Sequence, residues 1–424
     1  MSHFSLELPT IQSWSCHSCS GCCRQHGIVV TDEDKARIER QEWTAADGIP
    51  AGQPLFVEEG GWLSKTWHRL AHQPDGSCVF LDEKGLCRIH AKYGEPAKPI
   101  ACRIYPYAFH PAGSKVAVSL RFSCPSVVES RGRPVTAQRK EIRDYANQVV
   151  PSNIREALAP GLTAECHPEW PDLLRFVEML DELLAAEDAP VLIKLLRTLY
   201  WIGLVEQSKF DKLSGPRLGE FLEIIAKASS ETFGFETPID DIAKPSRVGR
   251  SQFRLLAGQY ARKDTYASDR SLRGRWMLLR IALTLTRGRG MVPPVQNCFH
   301  EVPFELLEQP FGALPPEADE LFTRYFRVKV QGMHFCGRAY YGVPFVEGFH
   351  SLVLIYPVVL WIARWLAASD GRTSLAAGDL VKAITLADHN HGYSPAFGTW
   401  GFRRRVKNLA QLGDIAKLCA WYGR

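Results

Sequence analysis

From about Ala137 onward, apolar residues recur at three- and four-residue intervals. The runs Leu173, Leu174, Val177, Leu180, Leu183, Leu184 and Val191, Leu192, Leu195, Leu196, Leu199, Tyr200 show it most clearly. This period turns one face of an amphipathic helix toward a core. The same pattern predicts helices over 217–228, 253–263, 271–286, 318–330, 352–368, 377–390 and 402–421, with loops over 231–250 and 288–303. The most apolar stretch, Leu352 to Ile362, contains Pro357 and is followed by Arg364. It falls short of the ~18 to 20 apolar residues that cross a bilayer and reads as a buried core helix, so no membrane span is expected.

Up to about Pro134 the texture is different: cysteine, glycine and proline are frequent and long periodic segments are missing. Thr31-Asp32-Glu33-Asp34 has the form of a capping box, with Asp34 in the place usually held by Glu or Gln. Pro74-Asp75-Gly76 and Glu83-Lys84-Gly85 carry turn chemistry, and the alternation from Lys115 to Phe122 predicts a strand that delivers Cys124. The expected fold is mainly α: a small irregular α+β cysteine-rich module over 1–134, followed by a larger helical body over 135–424.

Composition adds limits. The 424 residues, 46% hydrophobic and 23% charged, belong to a globular chain, and a net charge of +5 is too slight by itself to imply nucleic acid or an anionic membrane as a partner. The start, MSHFSLELPTIQSWSC, lacks the cationic region, apolar run and small-residue cleavage site of a secretory signal, so a cytoplasmic location is expected. In a reducing compartment, twelve cysteines ask for a metal before they ask for disulfides.

Eight of the twelve, Cys16, Cys19, Cys22, Cys23, Cys78, Cys87, Cys102 and Cys124, fall in the first 124 residues. Cys16-His-Ser-Cys19-Ser-Gly-Cys22-Cys23 contains two overlapping C-x-x-C steps, each able to turn two thiolates onto one ion, with Gly21 expected to permit the tight curvature. Four cysteines within eight residues are too dense to be core filler, the role in which free cysteine is usually buried. Eight thiols suffice for two four-ligand sites or for one site with spare sulfurs. Tetrahedral sulfur suits zinc and iron–sulfur centres alike, and spacing leaves that choice open.

The ordered motifs Cys16-x-x-Cys19-x-x-Cys22-Cys23, Gly76-Ser77-Cys78-Val79-Phe80-Leu81, Gly85-Leu86-Cys87-Arg88-Ile89-His90, Lys98-Pro99-x-x-Cys102-Arg103-x-Tyr105-Pro106 and Ser123-Cys124-Pro125 resemble a bacterial cysteine-cluster family of zinc- or iron-chelating domains. With Tyr93-Gly94-Glu95 and Ser119-Leu120, they are most similar to its flagellin lysine-N-methylase branch, over residues 14 to about 128. That resemblance implies metal ligation by the eight cysteines and an iron–sulfur centre, with zinc as the alternative. It also implies S-adenosylmethionine as methyl donor and the lysines of a flagellin-like protein as acceptors. Where the branch has Tyr-Pro-Arg this chain has Tyr105-Pro106-Tyr107, and where a radical S-adenosylmethionine motif would place its third cysteine it has His26. No G-x-G-x-x-G turn for a nucleotide-like cofactor is present.

Several further residues are weighed against plainer roles. Tyr105, Tyr107, Asp82 and Glu83 are candidate bases for a lysine acceptor, each more commonly structural. Arg24, Arg88 and Arg103 directly follow cysteines, where a guanidinium can donate to sulfur or can simply face solvent. His17, His26 and His90 are not needed as ligands beside eight thiols. In Asp388-His389-Asn390-His391-Gly392 the histidines read as a cationic helix end in preference to a second metal site. The basic runs Arg270-Arg273-Arg275-Arg280 and Arg403-Arg404-Arg405-Lys407 read as solvated helix faces, and no nucleic-acid partner is expected.

Overall fold

The computed structural model describes residues 4–60, 66–209, 213–263 and 271–424. With 54% of residues helical and 10% in strands, the fold is mainly α. The first third carries short helices, α1 (Gly21–Gln25), α2 (Asp32–Glu39), α3 (Arg88–Tyr93), α4 (Ile100–Ile104), α5 (Pro125–Val128) and α6 (Arg139–Val149). The body follows with α7 (Trp170–Ala185), α8 (Val191–Gln207), α9 (Gly215–Thr232), α10 (Arg247–Ala261), α11 (Leu272–Arg287), α12 (Phe304–Glu308) and α13 (Ala318–Gln331). It ends in α14 (Phe345–Val353), α15 (Ile355–Ser369), α16 (Ala377–Asn390), α17 (Trp400–Gln411) and α18 (Asp414–Tyr422).

Strands are short. β1 (Ser5–Glu7) runs parallel to β7 (Lys115–Leu120), which pairs antiparallel with β6 (Tyr107–Ala112) in the register Tyr107↔Leu120 to Ala112↔Lys115. β4 (Phe56–Glu59) and β3 (Val29–Val30) flank β5 (Trp67–Leu70), and two-residue pairs join β2 (Ser13–Trp14) to β8 (Arg133–Pro134) and β9 (Met291–Val292) to β10 (Val302–Pro303). The expected strand over 115–122 is therefore β7. Its alternation predicted one wet face, yet Val116 through Leu120 are all buried. β7 is the central strand of its sheet, and the turn after α13 closes on it at Gly332, where an added Cβ would overlap Ser119.

Two cores result. A small one gathers Val30, Ile38, Leu70, Cys78, Phe80 and Ile89 around the β3–β5–β4 sheet. The large one runs from Leu6 and Val118 through the helical body to Leu418. At its centre every residue of α15 from Ile355 to Ala368 is buried. Pro357 is tolerated because it lies in the first turn, where its missing N–H has no intrahelical partner to lose. The run Phe345–Ser369 is long and apolar enough to cross a membrane by composition, and in this fold its apolar 18-residue window is wholly buried. Arg364 is buried too, its guanidinium donating to the carbonyls of Leu307, Gln309, Tyr422 and Arg424 at 2.7–3.1 Å. The single helix expected over 402–421 is two, separated by Gly413 in the left-handed conformation at φ 62°.

Candidate metal centre

The capping sequence at Thr31 shows how the candidate centre is held. The Thr31 hydroxyl accepts the Asp34 amide at 3.1 Å and starts α2. The Asp34 carboxylate does not close the predicted box: it accepts the Ile100 amide at 3.0 Å and pairs with Arg37, which donates to the Lys98 carbonyl at 2.9 Å. Thus α2 fixes the entry to α4, the turn that carries Cys102. Cys78 is tied to the first cysteine loop by its amide, which donates to the Cys23 carbonyl at 2.8 Å. Cys87 pairs with Leu81 across a turn in which Asp82 accepts the Lys84 and Leu86 amides at 3.0 and 2.7 Å. Cys124 caps α5 at the corner after β7.

Within the first loop, Ser18 and Ser20 take the left-handed conformation at φ 53° and 56°. Gly21 does not, so the curvature expected of the glycine is carried by two serines, at an energetic cost that L-residues pay there. Burial rises along the loop, from exposed Cys16 and Cys19 to half-buried Cys22 and Cys23. The Cys22 and Cys23 sulfurs are 3.9 Å apart.

The thiols fall into two neighbourhoods. Burial pushes Cys78 up to about 12, with the charges of Cys87 and Cys22 adding to it. Burial likewise raises Cys102, followed by the charges of Cys78, Cys22 and Cys87. Cys22 is raised first by its hydrogen bond with Cys23 and then by burial. Against these, Lys98 lowers both Cys22 and Cys102. Cys78, Cys22 and Cys87 thus all act on Cys102, Lys98 acts on Cys22 and Cys102, and Cys23 is hydrogen-bonded to Cys22. Cys19 and Cys124 form the other neighbourhood, Cys124 being raised by burial and more weakly by Cys19. Among the described residues no three His, Cys, Asp or Glu side chains already stand in ligating geometry, so ligation requires the gathered thiols to close in. The donor set fits a zinc or iron–sulfur centre: soft sulfur, one offsetting cation, and, at Cys22, Cys78 and Cys102, thiols whose raised pKa values keep them protonated until a metal displaces the proton.

The comparisons with known proteins meet the chain at this segment. Residues 15–125 are a CxxCxxCC domain. That family is described as "Putative zinc- or iron-chelating domain", and the matched span holds all eight clustered cysteines. The chain is also similar to the "Flagellar biosynthetic protein FliU" of Salmonella muenchen, 38% identical over 52 residues, which are 12% of this chain and 31% of that protein. The chain thus spans under a third of the length of this curated relative. No solved structure matches it.

The three arginines beside cysteines of the CxxCxxCC domain turn away from sulfur toward oxygen. Arg24 donates to the Ser20 hydroxyl, Arg88 to Glu83 at 3.0 Å and the Asp47 carbonyl, and Arg103 to Glu95 at 3.0 Å and Gln148. A carboxylate or carbonyl within reach is a stronger acceptor than a half-buried thiol. The cation that does face the thiols, Lys98, lies four residues before Cys102, a spacing that passes unremarked among surface lysines. Of the candidate bases, Asp82 is spent on its turn and Glu83 on Arg88. Tyr107 donates to Gln138, and Tyr105, hydrogen-bonded with Ser123, is held protonated by burial and then by Cys124. His17 meets the Ser126 hydroxyl at 3.2 Å.

Behind the CxxCxxCC domain lies a buried polar junction with the helical body. Lys329 and Asp388, both fully buried, pair at 2.6 Å. Asp388 also accepts the Ser123 amide at 3.1 Å, one residue before Cys124, and the Tyr325 hydroxyl at 3.3 Å. Lys329 donates to the Leu120 carbonyl at 3.3 Å and to Nδ1 of His334 at 3.2 Å, which leaves the His334 proton on Nε2. His26 stacks on His389 at 4.6 Å between ring centres, and Arg121 lies 3.5 Å over the Tyr393 ring. Of the histidines expected at a cationic helix end, His389 stands in the last turn of α16, but His391 does not serve: it is buried and bonded to the Tyr260 hydroxyl at 2.8 Å, and desolvation holds its pKa well below the usual value. Arg270 of the first basic run lies outside the described residues.

Proposed function

We propose that the CxxCxxCC domain carries an iron–sulfur centre on Cys22, Cys78, Cys87 and Cys102, with Cys16, Cys19, Cys23 and Cys124 as the adjoining thiols. We further propose that the chain transfers a methyl group from S-adenosylmethionine to lysine side chains of a flagellin-like protein. The first part is supported by the tie of Cys78 to the first cysteine loop, its amide donating to the Cys23 carbonyl at 2.8 Å, together with the influence of Cys78, Cys22 and Cys87 on the Cys102 thiol beside Lys98. When bound, such a centre would supply electrons, and it would offer an open coordination position for the amino and carboxylate groups of an S-adenosylmethionine only at an iron that one of the four thiols leaves unligated. Lys98 offsets thiolate charge, and the burial of Cys78 keeps water from the sulfur. Tyr105, protonated and adjacent to both thiol groups, acts as a hydrogen-bond donor at neutral pH, not as the base. Support for the methyl-transfer part is the motif resemblance together with the flagellar name of the similar protein.

A second reading, a zinc staple in a non-enzymatic interaction or metal-handling module, puts Cys22 and Cys23 on one ion. A tetrahedral zinc–thiolate site with bonds of about 2.3 Å has edges of about 3.8 Å, and the Cys22–Cys23 sulfurs stand 3.9 Å apart. Anaerobic purification, a visible spectrum and iron, sulfide and zinc analysis of one sample separate the two readings. Iron and sulfide in proportion with a charge-transfer band support the first, and labelled methyl transfer to flagellin lysines then tests the activity. Colourless protein with stoichiometric zinc overturns it.

A further inference from the structure

The helix α11 has a composition unlike its neighbours. Its sequence, LRGRWMLLRIALTLTR, holds four arginines and no acidic residue. It packs inward through Gly274 and Leu285, the latter seated where α10 has Gly258 and no side chain. The outward face is not polar. Leu272, Trp276, Leu279 and Leu283 are 86%, 62%, 55% and 47% exposed, and their 4-3-4 spacing sets them on one narrow stripe, about 17 Å long at 1.5 Å per residue. By helical geometry Arg275 flanks the stripe on one side, with Arg273, Arg280 and Arg287 on the other. The Arg280 guanidinium sits 5.4 Å over the Trp276 ring. Among the described residues none of the four arginines pairs with a carboxylate.

We propose that α11 is an interfacial helix that seats this protein on an anionic phospholipid surface. Leucine and tryptophan at the centre of a convex stripe, rimmed by arginine and free of acid, match the requirements of the headgroup boundary, where apolar burial and attraction to anionic lipid add. A second copy of this chain is disfavoured as occupant, because its α11 would set arginine rims against arginine rims. The net charge of +5 concealed this feature, since the whole-chain sum hides a helix that carries cations alone.

The test is co-sedimentation of the full chain with vesicles of phosphatidylglycerol and phosphatidylcholine in equal parts, and with pure phosphatidylcholine. The protein sediments with the first and not the second. Arg275→Gln/Arg280→Gln weakens binding by about 25-fold, from roughly five-fold per basic residue. Trp276→Ser/Leu279→Ser weakens it by at least ten-fold. Unfolding midpoints and metal content of both variants stay at wild-type values, since the replaced side chains are exposed. The proposal fails if the chain does not sediment, if the Trp276/Leu279 pair leaves sedimentation unchanged, or if pure phosphatidylcholine binds as well. Retention on soluble polyglutamate that ignores the Trp276/Leu279 replacement, without vesicle binding, assigns the face to an acidic protein instead. Self-association lost in Leu279→Ser, without vesicle binding, assigns it to a second copy.

Discussion

Replacing Asp388 by alanine tests how the cysteine domain is locked to the helical body. The carboxylate is fully buried, pairs with Lys329 at 2.6 Å, and accepts the Ser123 amide and the Tyr325 hydroxyl. Its removal strands a buried ammonium, which retains only the Leu120 carbonyl and His334 Nδ1 as acceptors, and a buried amide and phenol besides. Breaking one side of such a pair costs about 3–5 kcal/mol. At about 2.1 cal/mol/K of unfolding entropy per residue, 424 residues unfolding as one unit give roughly 0.9 kcal/mol/K, so the melting point falls by about 3–6 °C. Urea unfolding followed by far-ultraviolet circular dichroism measures the loss directly. Lys329→Met/Asp388→Leu removes both charges and recovers more than half of it, because a buried pair is offset by its own desolvation. A loss below about 1 kcal/mol in Asp388→Ala, or a double variant as unstable as the single one, refutes the reasoning.

Three more outcomes follow from the same packing. Burial holds His110 down to about 3 and keeps His334 and His391 well below their usual range. Depressed imidazoles give stability that is complete above the unfolded pKa of about 6.5 and lost as pH falls toward the folded values, so urea midpoints at pH 5 report a loss of about 2 kcal/mol per imidazole relative to pH 7.5. Equal stability at the two pH values contradicts this. Gly249→Ala in α10 destabilises by about 1–3 kcal/mol, because its Cβ would overlap the Asp414 carboxylate that holds the Ser246 hydroxyl at 2.5 Å. Gly203→Ala in α8, with nothing near the added atom, stabilises by roughly 0.8–1 kcal/mol, and thermal melts of the two show opposite signs.

What the sequence made legible was local. The helical period placed α7, α8, α9, α13 and α16 within a few residues because each repeats apolar residues at three- and four-residue spacing, α8 even though its first eight residues are buried all round. It missed the break at Gly413, since a glycine inside a periodic run reads as a tolerated residue until its φ is known. The cysteine motifs marked the candidate ligands, but the grouping of Cys22 with Cys78, Cys87 and Cys102 depends on contacts across more than fifty residues. Lys329 carried a faint signal, a cation between Val328 and Val330 in an apolar face, whereas its partner Asp388 looked like part of a helix-end motif. For the three arginines, adjacency to a cysteine in sequence left sulfur and solvent equally open as partners. Nearby carboxylates, Glu83 for Arg88 and Glu95 for Arg103, claimed two of them.

The central claim is that Cys22, Cys78, Cys87 and Cys102 form the centre, with exposed Cys16 outside it. The most direct measurement is bound iron and zinc per chain in Cys102→Ser and Cys16→Ser, purified anaerobically alongside the wild type and checked for fold by circular dichroism. The account predicts that Cys102→Ser loses the metal while Cys16→Ser keeps it. Full metal in Cys102→Ser, with loss in Cys16→Ser, contradicts it and moves the centre to the Cys19–Cys124 side.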